Sequence, residues 1–117
     1  MEIGEQDFPM NAYQRVARRF INKNLNQEQT LLHGLHGLCA EVGEVHSLYQ
    51  KFYQGHELSS EHLEKELGDV LWFLAEVATA NGLELGEIAR TNIDKLSARY
   101  PNGFNAEQSL RRKEGDI

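Results

Sequence analysis

Two pairs of acidic residues are the part of this sequence best suited to chemistry, Glu41-x-x-Glu44 and Glu66-x-x-Asp69. Residues three apart on a helix point to nearly the same side, with Cβ atoms roughly 5–6 Å apart. Each pair would therefore form one acidic patch if its segment is helical. Carboxylate oxygens suit hard divalent ions, so the pairs are candidate ligands for Mg²⁺, with Mn²⁺ as a substitute.

The position of Gly55 suggests that the two pairs face each other. Gly55 lies 11 residues after Glu44 and 11 before Glu66, and it lies 14 after Glu41 and 14 before Asp69. If two antiparallel helices turn near Gly55, the four carboxylates stand at the same height. Such a group repels itself, and each member raises the pKa of the others unless a cation compensates. A di-iron bundle site would instead need Glu-x-x-His pairs, and the sequence contains none.

Two further observations bear on this acidic group. Gly43 and Gly68 lie beside the pairs, and we expect them to let the two backbones approach closely, because an interior glycine costs a helix about 1 kcal/mol relative to alanine. Glu66 and Asp69 also belong to a very apolar segment, where an unpaired carboxylate is costly. The simpler interpretation, acids on a solvated helix face, stays open for each pair taken alone.

The elements that must position these residues are predicted to be helices. Both prolines lie near the ends, β-branched residues are sparse, and Leu, Glu and Ala dominate the middle, which favours helix. The sequence predicts an all-α bundle of about four helices whose core is shared with another copy of the chain. Thr30 is the expected N-cap of the second helix, and 70–74 is expected to be the most buried stretch because it is apolar on every side. The predicted helices span about 11–22, 30–54, 61–81 and 84–100.

Composition limits the classes of function. The 117 residues suffice for one domain, with an expected core at about 11–104 and a polar, partly mobile tail at 105–117. The net charge of −6, without a basic block or stripe, argues against a nucleic-acid binder or an anionic-membrane binder. The single Cys39 suits a reducing cytoplasm, and no signal segment or membrane-length apolar run is evident. We therefore expect a cytoplasmic protein.

Several other side chains are candidates for contacting a substrate. Lys51 projects from almost the same face as Glu44 two turns earlier, and Lys95 and Arg99 share a face of the fourth helix. His33 lies about three turns before Glu44 on nearly the same face and is a candidate for a base or sugar contact. Phe73 lies two turns beyond Glu66, and two roles stay open for it, stacking on a base and packing in the core. Trp72 is predicted to be core. Lys51, Lys95 and Arg99 also have a simpler interpretation as ordinary solvated residues.

Three segments resemble the motifs of MazG-like nucleoside triphosphate pyrophosphohydrolases. Residues 31–45 (LLHGLHGLCAEVGEV) are similar to the first MazG motif, and residues 65–74 (KELGDVLWFL) are similar to the second. Residues 92–96 (NIDKL), followed by Arg99-Tyr100-Pro101, resemble the closing helix of the family. Many members carry a glutamate where this chain has Lys65, a position expected to face outward. The resemblance covers roughly residues 30–104.

The resemblance implies a fold, an activity and a partner. It implies a helical bundle assembled as intimate dimers or dimers of dimers, with Mg²⁺ held by Glu41, Glu44, Glu66 and Asp69. It also implies hydrolysis of an NTP or dNTP between the α- and β-phosphates, giving the monophosphate and pyrophosphate, with Asn92 and Lys95 contacting phosphates. The alternatives are a non-enzymatic helical adaptor with an acidic face and a metal-buffering or redox bundle. The base and the sugar stay open.

Overall fold

Helices dominate the described part of the chain, residues 7–117 of a computed structural model. The fold class predicted from the sequence is confirmed: four main helices and one short helix occur in this range, with an isolated bridge between Pro101 and Gly103 and no strand. None of these helices combines the length and the apolar character that a bilayer span needs. The helices are α1 (Met10–Ala17, continued by a 3₁₀ turn at Arg18–Phe20), α2 (Gln27–Tyr53), α3 (Ser60–Ala80), α4 (Leu85–Arg99) and α5 (Ala106–Leu110).

The start of α2 differs from the prediction. Asn26, rather than Thr30, is the N-cap: its side chain accepts a hydrogen bond from the Gln29 backbone N–H at 2.8 Å, and the Gln29 side chain accepts one from the Asn26 N–H at 3.0 Å. This reciprocal capping box satisfies two N–H groups that would otherwise lack helical partners. Thr30 instead lies buried one turn into the helix.

The connection between α2 and α3 turns at Gly55, as predicted. Gly55 follows the last turn of α2 with φ of 99°, in the left-handed region that favours glycine. The N–H of Gly55 donates to the carbonyl of Phe52, and that of His56 donates to the carbonyl of Lys51, which is the Schellman arrangement of a helix end. Ser59 then caps α3. α2 and α3 therefore form the expected antiparallel hairpin.

The hairpin register is centred on this turn. Gly34 lies against Val77, Gly37 lies against Phe73, and Glu41 lies beside Asp69, so the midpoint of every pair falls at residue 55 or 56. The glycines that permit the close approach are Gly34 and Gly37, since a Cβ at either would collide with α3. The expectation for Gly43 and Gly68 was wrong, because a Cβ there meets nothing within 4 Å. Both glycines are exposed.

α1 and the start of α4 are held together by polar side chains. The buried Gln14 accepts from the Leu85 N–H at 2.7 Å and donates to the Leu83 carbonyl at 2.9 Å. Asn11 accepts from the Gly86 N–H at 2.8 Å. α4 has no side-chain cap from its own N-cap residue, so α1 supplies the acceptors that a helix N-terminus requires. α4 packs mainly on α1 and makes few contacts with the hairpin.

The buried apolar core of residues 7–117 is small. Apart from Leu85, every apolar residue in it is an alanine: Ala12, Ala17, Ala75, Ala78 and Ala80. Trp72 packs against this cluster, as predicted, and donates from Nε1 to the Ala17 carbonyl. The expectation that 70–74 is the most buried stretch was wrong, because Leu71 and Leu74 are 37% and 38% exposed. Burial peaks one turn later, at 75–80, where α1 covers α3.

Candidate metal centre

Three carboxylates come together between α2 and α3. Glu41, Glu66 and Asp69 each offer an oxygen, and these oxygens lie within 4.8 Å of one another. The matched heights argued from Gly55 explain this proximity, because residues 41 and 69 are equidistant from the turn. Glu44 lies one turn along α2, is exposed, and stands outside this group of three. We call Glu41, Glu66 and Asp69 the acidic triad.

The triad is electrostatically strained without a cation. The pKa of Glu41 is raised above its ordinary value, chiefly by partial burial, then by a shared hydrogen bond with Glu66 and by the charges of Asp69, Glu66 and Glu44. A bound cation would relieve this repulsion and favour the ionised form of each carboxylate. The donors are all carboxylate oxygens, which fit a hard divalent ion. The triad therefore has both the donor set and the unbalanced charge of a metal site.

His62 is a neighbour of the triad that is not among the site residues predicted from the sequence. Its Nε2 lies 3.2 Å from Glu66 Oε1, one helical turn away on α3. A four-residue spacing on one helix brings such a pair together, so the signal was present in the sequence. This contact holds one oxygen of Glu66 in place.

His33 and Phe73 lie together farther along the hairpin, away from the turn. His33 Nδ1 is 2.6 Å from Glu76 Oε1, and its ring lies 5.8 Å from the Phe73 ring. Glu76 is only 1% exposed, and its Oε2 has no hydrogen-bond partner in the described part of the chain. The Phe73 ring fills the space left by Gly37, which explains its partial burial. Sequence reasoning missed Glu76, because a single acid in an apolar helix has no distinctive spacing.

Within residues 7–117 the basic candidates form no ion pair with the triad. Lys51 is exposed near the end of α2, and Asn92 and Lys95 are exposed on α4. Arg99 is mostly buried and forms a bidentate ion pair with Asp116, with Nε to Oδ2 at 2.8 Å and Nη2 to Oδ1 at 2.7 Å. α4, which carries Asn92, Lys95 and Arg99, packs on α1 rather than on the hairpin.

Comparison with known proteins identifies the family. The family model described as "MazG nucleotide pyrophosphohydrolase domain" matches residues 26–104, a range that contains the whole hairpin and α4. The chain belongs to the MazG family.

This MazG chain also resembles a phage protein. It is 31% identical over 72 residues to the "Gene 37 protein" of Mycobacterium phage L5, and the match covers 57% of this chain. The chain spans 63% of the length of that protein. No solved structure matches. MazG-family enzymes typically use a divalent metal, and the acidic triad has the composition that such an ion requires.

Proposed function

We propose that this MazG chain is a Mg²⁺-dependent nucleotide pyrophosphohydrolase that converts an NTP or dNTP into the monophosphate and pyrophosphate. The acidic triad is the observation that carries the proposal, since three carboxylates from two helices converge at one point. Glu41, Glu66 and Asp69 would hold the metal, and Glu44 is close enough to influence the pKa of Glu41 and to add a fourth carboxylate. Mn²⁺ is the expected substitute, because it accepts the same oxygen ligands.

The chemistry divides between the metal site and the protein. A divalent ion at such a site neutralises phosphate charge and lowers the pKa of a bound water. The chain itself positions the groups. His62 restrains Glu66 through the 3.2 Å contact, and a carboxylate of the triad would accept a proton from water. Little covalent chemistry is required of the side chains, because phosphoryl transfer depends mainly on positioning and electrostatics.

Substrate contacts are assigned to both ends of the hairpin and to α4. Asn92 and Lys95, with Lys51 and Arg99 as weaker candidates, would bind phosphates. His33 is suited to a base or sugar contact, because its side chain is half exposed while Nδ1 is held by Glu76. Phe73 lies beside His33 and can present a ring edge to the same ligand.

The test is pyrophosphate release. The purified chain, incubated with a panel of NTPs and dNTPs and Mg²⁺, should release pyrophosphate from at least one of them and stop when a chelator is added. A helical adaptor with an acidic face would release none and would not be stabilised by Mg²⁺. Absence of pyrophosphate from the whole panel, with Mg²⁺ failing to raise the melting temperature, would rule the proposal out.

The chain should also assemble with copies of itself, as a homodimer or a homotetramer. Its radius of gyration is 17.4 Å, whereas a compact chain of this length has about 13 Å. The hairpin exposes large apolar side chains, which are normally covered in an assembly. Light scattering at micromolar concentration should give at least twice the mass of one chain, and a strict monomer would contradict this expectation. The exposed hairpin residues are Leu32, Leu35, Val42, Tyr49, Phe52, Tyr53, Leu67, Leu71 and Leu74.

A further inference from the structure

A basic cavity lies between the end of α4 and the C-terminal segment. Its volume is about 310 Å³, and five of the residues that line it are Lys or Arg, against one acid, Asp116. The whole chain has 12 Lys and Arg and a net charge of −6, so this local balance is opposite to that of the protein. The five basic residues are Lys95, Arg99, Arg111, Arg112 and Lys113.

The cations around this cavity contradict one expectation from the sequence, that the chain has no basic block. The sequence was expected to contain no basic block, yet Arg111-Arg112-Lys113 is a run of three, and folding adds Lys95 and Arg99 to it. The run is short, and the other two cations come from a helix more than ten residues earlier. Sequence reasoning therefore missed the cluster, although the run itself was visible.

Arg99 is the deepest of these cations. Its side chain is 8% exposed and that of Asp116 is 15% exposed, and two short hydrogen bonds join them. The guanidinium holds the pKa of the Asp116 carboxyl below its usual range, with Arg112 and Lys95 adding to the effect. The planar fork of an arginine binds a phosphate in the same bidentate way as a carboxylate. Asp116 thus occupies a position that a phosphate oxygen pair would fit.

The segment that carries Asp116 is held mainly by polar contacts. Leu110 and Ile117 are 82% and 89% exposed, so little apolar burial fixes it. Arg111 pairs with Glu107 at the surface, at 2.7 Å. Among residues 7–117, the cations around Arg99 that form no ion pair are Lys95, Arg112 and Lys113. An incoming anion with several oxygens can engage more of these cations than one carboxylate can.

We propose that this cavity binds a pyrophosphate group and that Asp116 is an internal competitor, which the ligand must displace from Arg99. Residues 111–117 would then form a cap over the cavity, meaning a segment that covers it until an anion displaces Asp116 from Arg99. The inference rests on the proposed function only for the source of the anion, namely the phosphates of the substrate or the released pyrophosphate. The binding itself requires only the cations and the bidentate exchange at Arg99.

The experiment measures binding of inorganic pyrophosphate to the full chain by calorimetry, at low ionic strength and without divalent metal. Asp116→Asn should bind pyrophosphate about tenfold more tightly than the wild type, because it removes a charged hydrogen-bonding competitor. Arg99→Gln in the same background should abolish that gain. Glu114→Gln is the matched control, since it removes one negative charge from the same segment at a residue that does not line the cavity.

The outcomes separate the inference from the proposed function. Equal gains for Asp116→Asn and Glu114→Gln would overturn the inference, since they would show a general charge effect. A gain that survives Arg99→Gln would also overturn it. Because metal is absent, the expected pattern would support the cap even if no nucleotide is hydrolysed. Hydrolysis with a normal rate but no effect of Asp116→Asn on pyrophosphate binding would refute the cap alone.

Discussion

Replacing Asp69 with alanine is expected to lower pyrophosphate release by at least about 100-fold, since even residues that only support metal ligands typically contribute 10–100-fold. The same change should raise the melting temperature of the metal-free protein by a few degrees, because it removes one of the three mutually repelling carboxylates of the acidic triad. Glu66→Ala and Glu41→Ala should behave in the same way. In Mg²⁺ the wild type should gain stability that the variants do not, because a ligand of the folded state stabilises it.

Glu64→Ala is the matched control for this prediction. Glu64 is an exposed glutamate on the same helix, outside the triad, so its removal should change neither activity nor the response to Mg²⁺. Glu44→Ala tests the fourth carboxylate, and we expect a loss of activity there as well. The measurements are melting temperature in chelator and in Mg²⁺, and pyrophosphate release. Near-normal turnover in Asp69→Ala and Glu66→Ala would show that the triad is not the catalytic metal site.

The pH dependence of the metal-free protein follows from the partial burial of Glu41 and from its repulsion by the neighbouring carboxylates. The pKa of Glu41 is higher in the folded protein than in the unfolded chain. Its protonation therefore stabilises the folded state fully at pH values below the unfolded-state pKa, and this stabilisation is lost as the pH rises through the folded-state pKa. The melting temperature in chelator should therefore rise as pH falls from neutral toward about 5. Glu41→Gln should flatten that part of the curve, and the difference between the two proteins isolates Glu41 from the histidines. Identical curves for the two proteins would contradict the raised pKa.

Replacing Gly37 with alanine should lower the melting temperature, whereas the same replacement at Gly43 should raise it. A Cβ at residue 37 overlaps the Phe73 ring, and that ring is confined by Trp72 at 5.0 Å and His33 at 5.8 Å. Overpacking of this kind typically costs about 1–3 kcal/mol, or about 4–12 °C for a domain of this size. At Gly43 a Cβ meets nothing within 4 Å, so the higher helix propensity of alanine should add about 0.5–1 kcal/mol.

A second substitution tests the cause of the Gly37 effect. Phe73→Leu shortens the side chain that the new methyl group would strike, so Gly37→Ala combined with Phe73→Leu should be less destabilised than the sum of the two single variants. All variants should be compared at one protein concentration, since self-association makes the melting temperature concentration-dependent. Equal shifts of the same sign for Gly37→Ala and Gly43→Ala would mean that the hairpin does not pack at Phe73 as described.

Local sequence signals predicted the helices and the hairpin register well. Gly55 and Ser59 specify the turn through backbone conformation and capping. Equal spacing from Gly55 predicted that four acids meet, and the structure brings together three of them, Glu41, Glu66 and Asp69. Local signals could not predict which glycines lie at the contact between α2 and α3 and which are exposed. Gly34, Gly37, Gly43 and Gly68 have the same local character, and the difference depends on where the axes of α2 and α3 approach most closely, which is set by side chains such as Phe73 on the opposing helix.

Long-range polar contacts were also beyond local reasoning. The ion pair between Arg99 and Asp116 spans 17 residues, and the hydrogen bond between His33 and Glu76 spans 43. No periodic pattern marks the partners of such pairs, because each depends on the path of the chain between them. The misplaced burial maximum in α3 has the same origin: its apolar pattern predicts a buried helix, but the position of α1 decides which turns are covered.

The capping of α4 by α1 has a consequence for the order of folding. Gln14 and Leu85 are 71 residues apart in sequence, whereas the α2–α3 hairpin closes through the short turn between Tyr53 and Ser60. Local contacts form with a smaller loss of chain entropy than distant ones. The hairpin, with the acidic triad inside it, should therefore form early. The first backbone N–H groups of α4 should find their hydrogen-bond acceptors only later, when α1 packs against the start of α4.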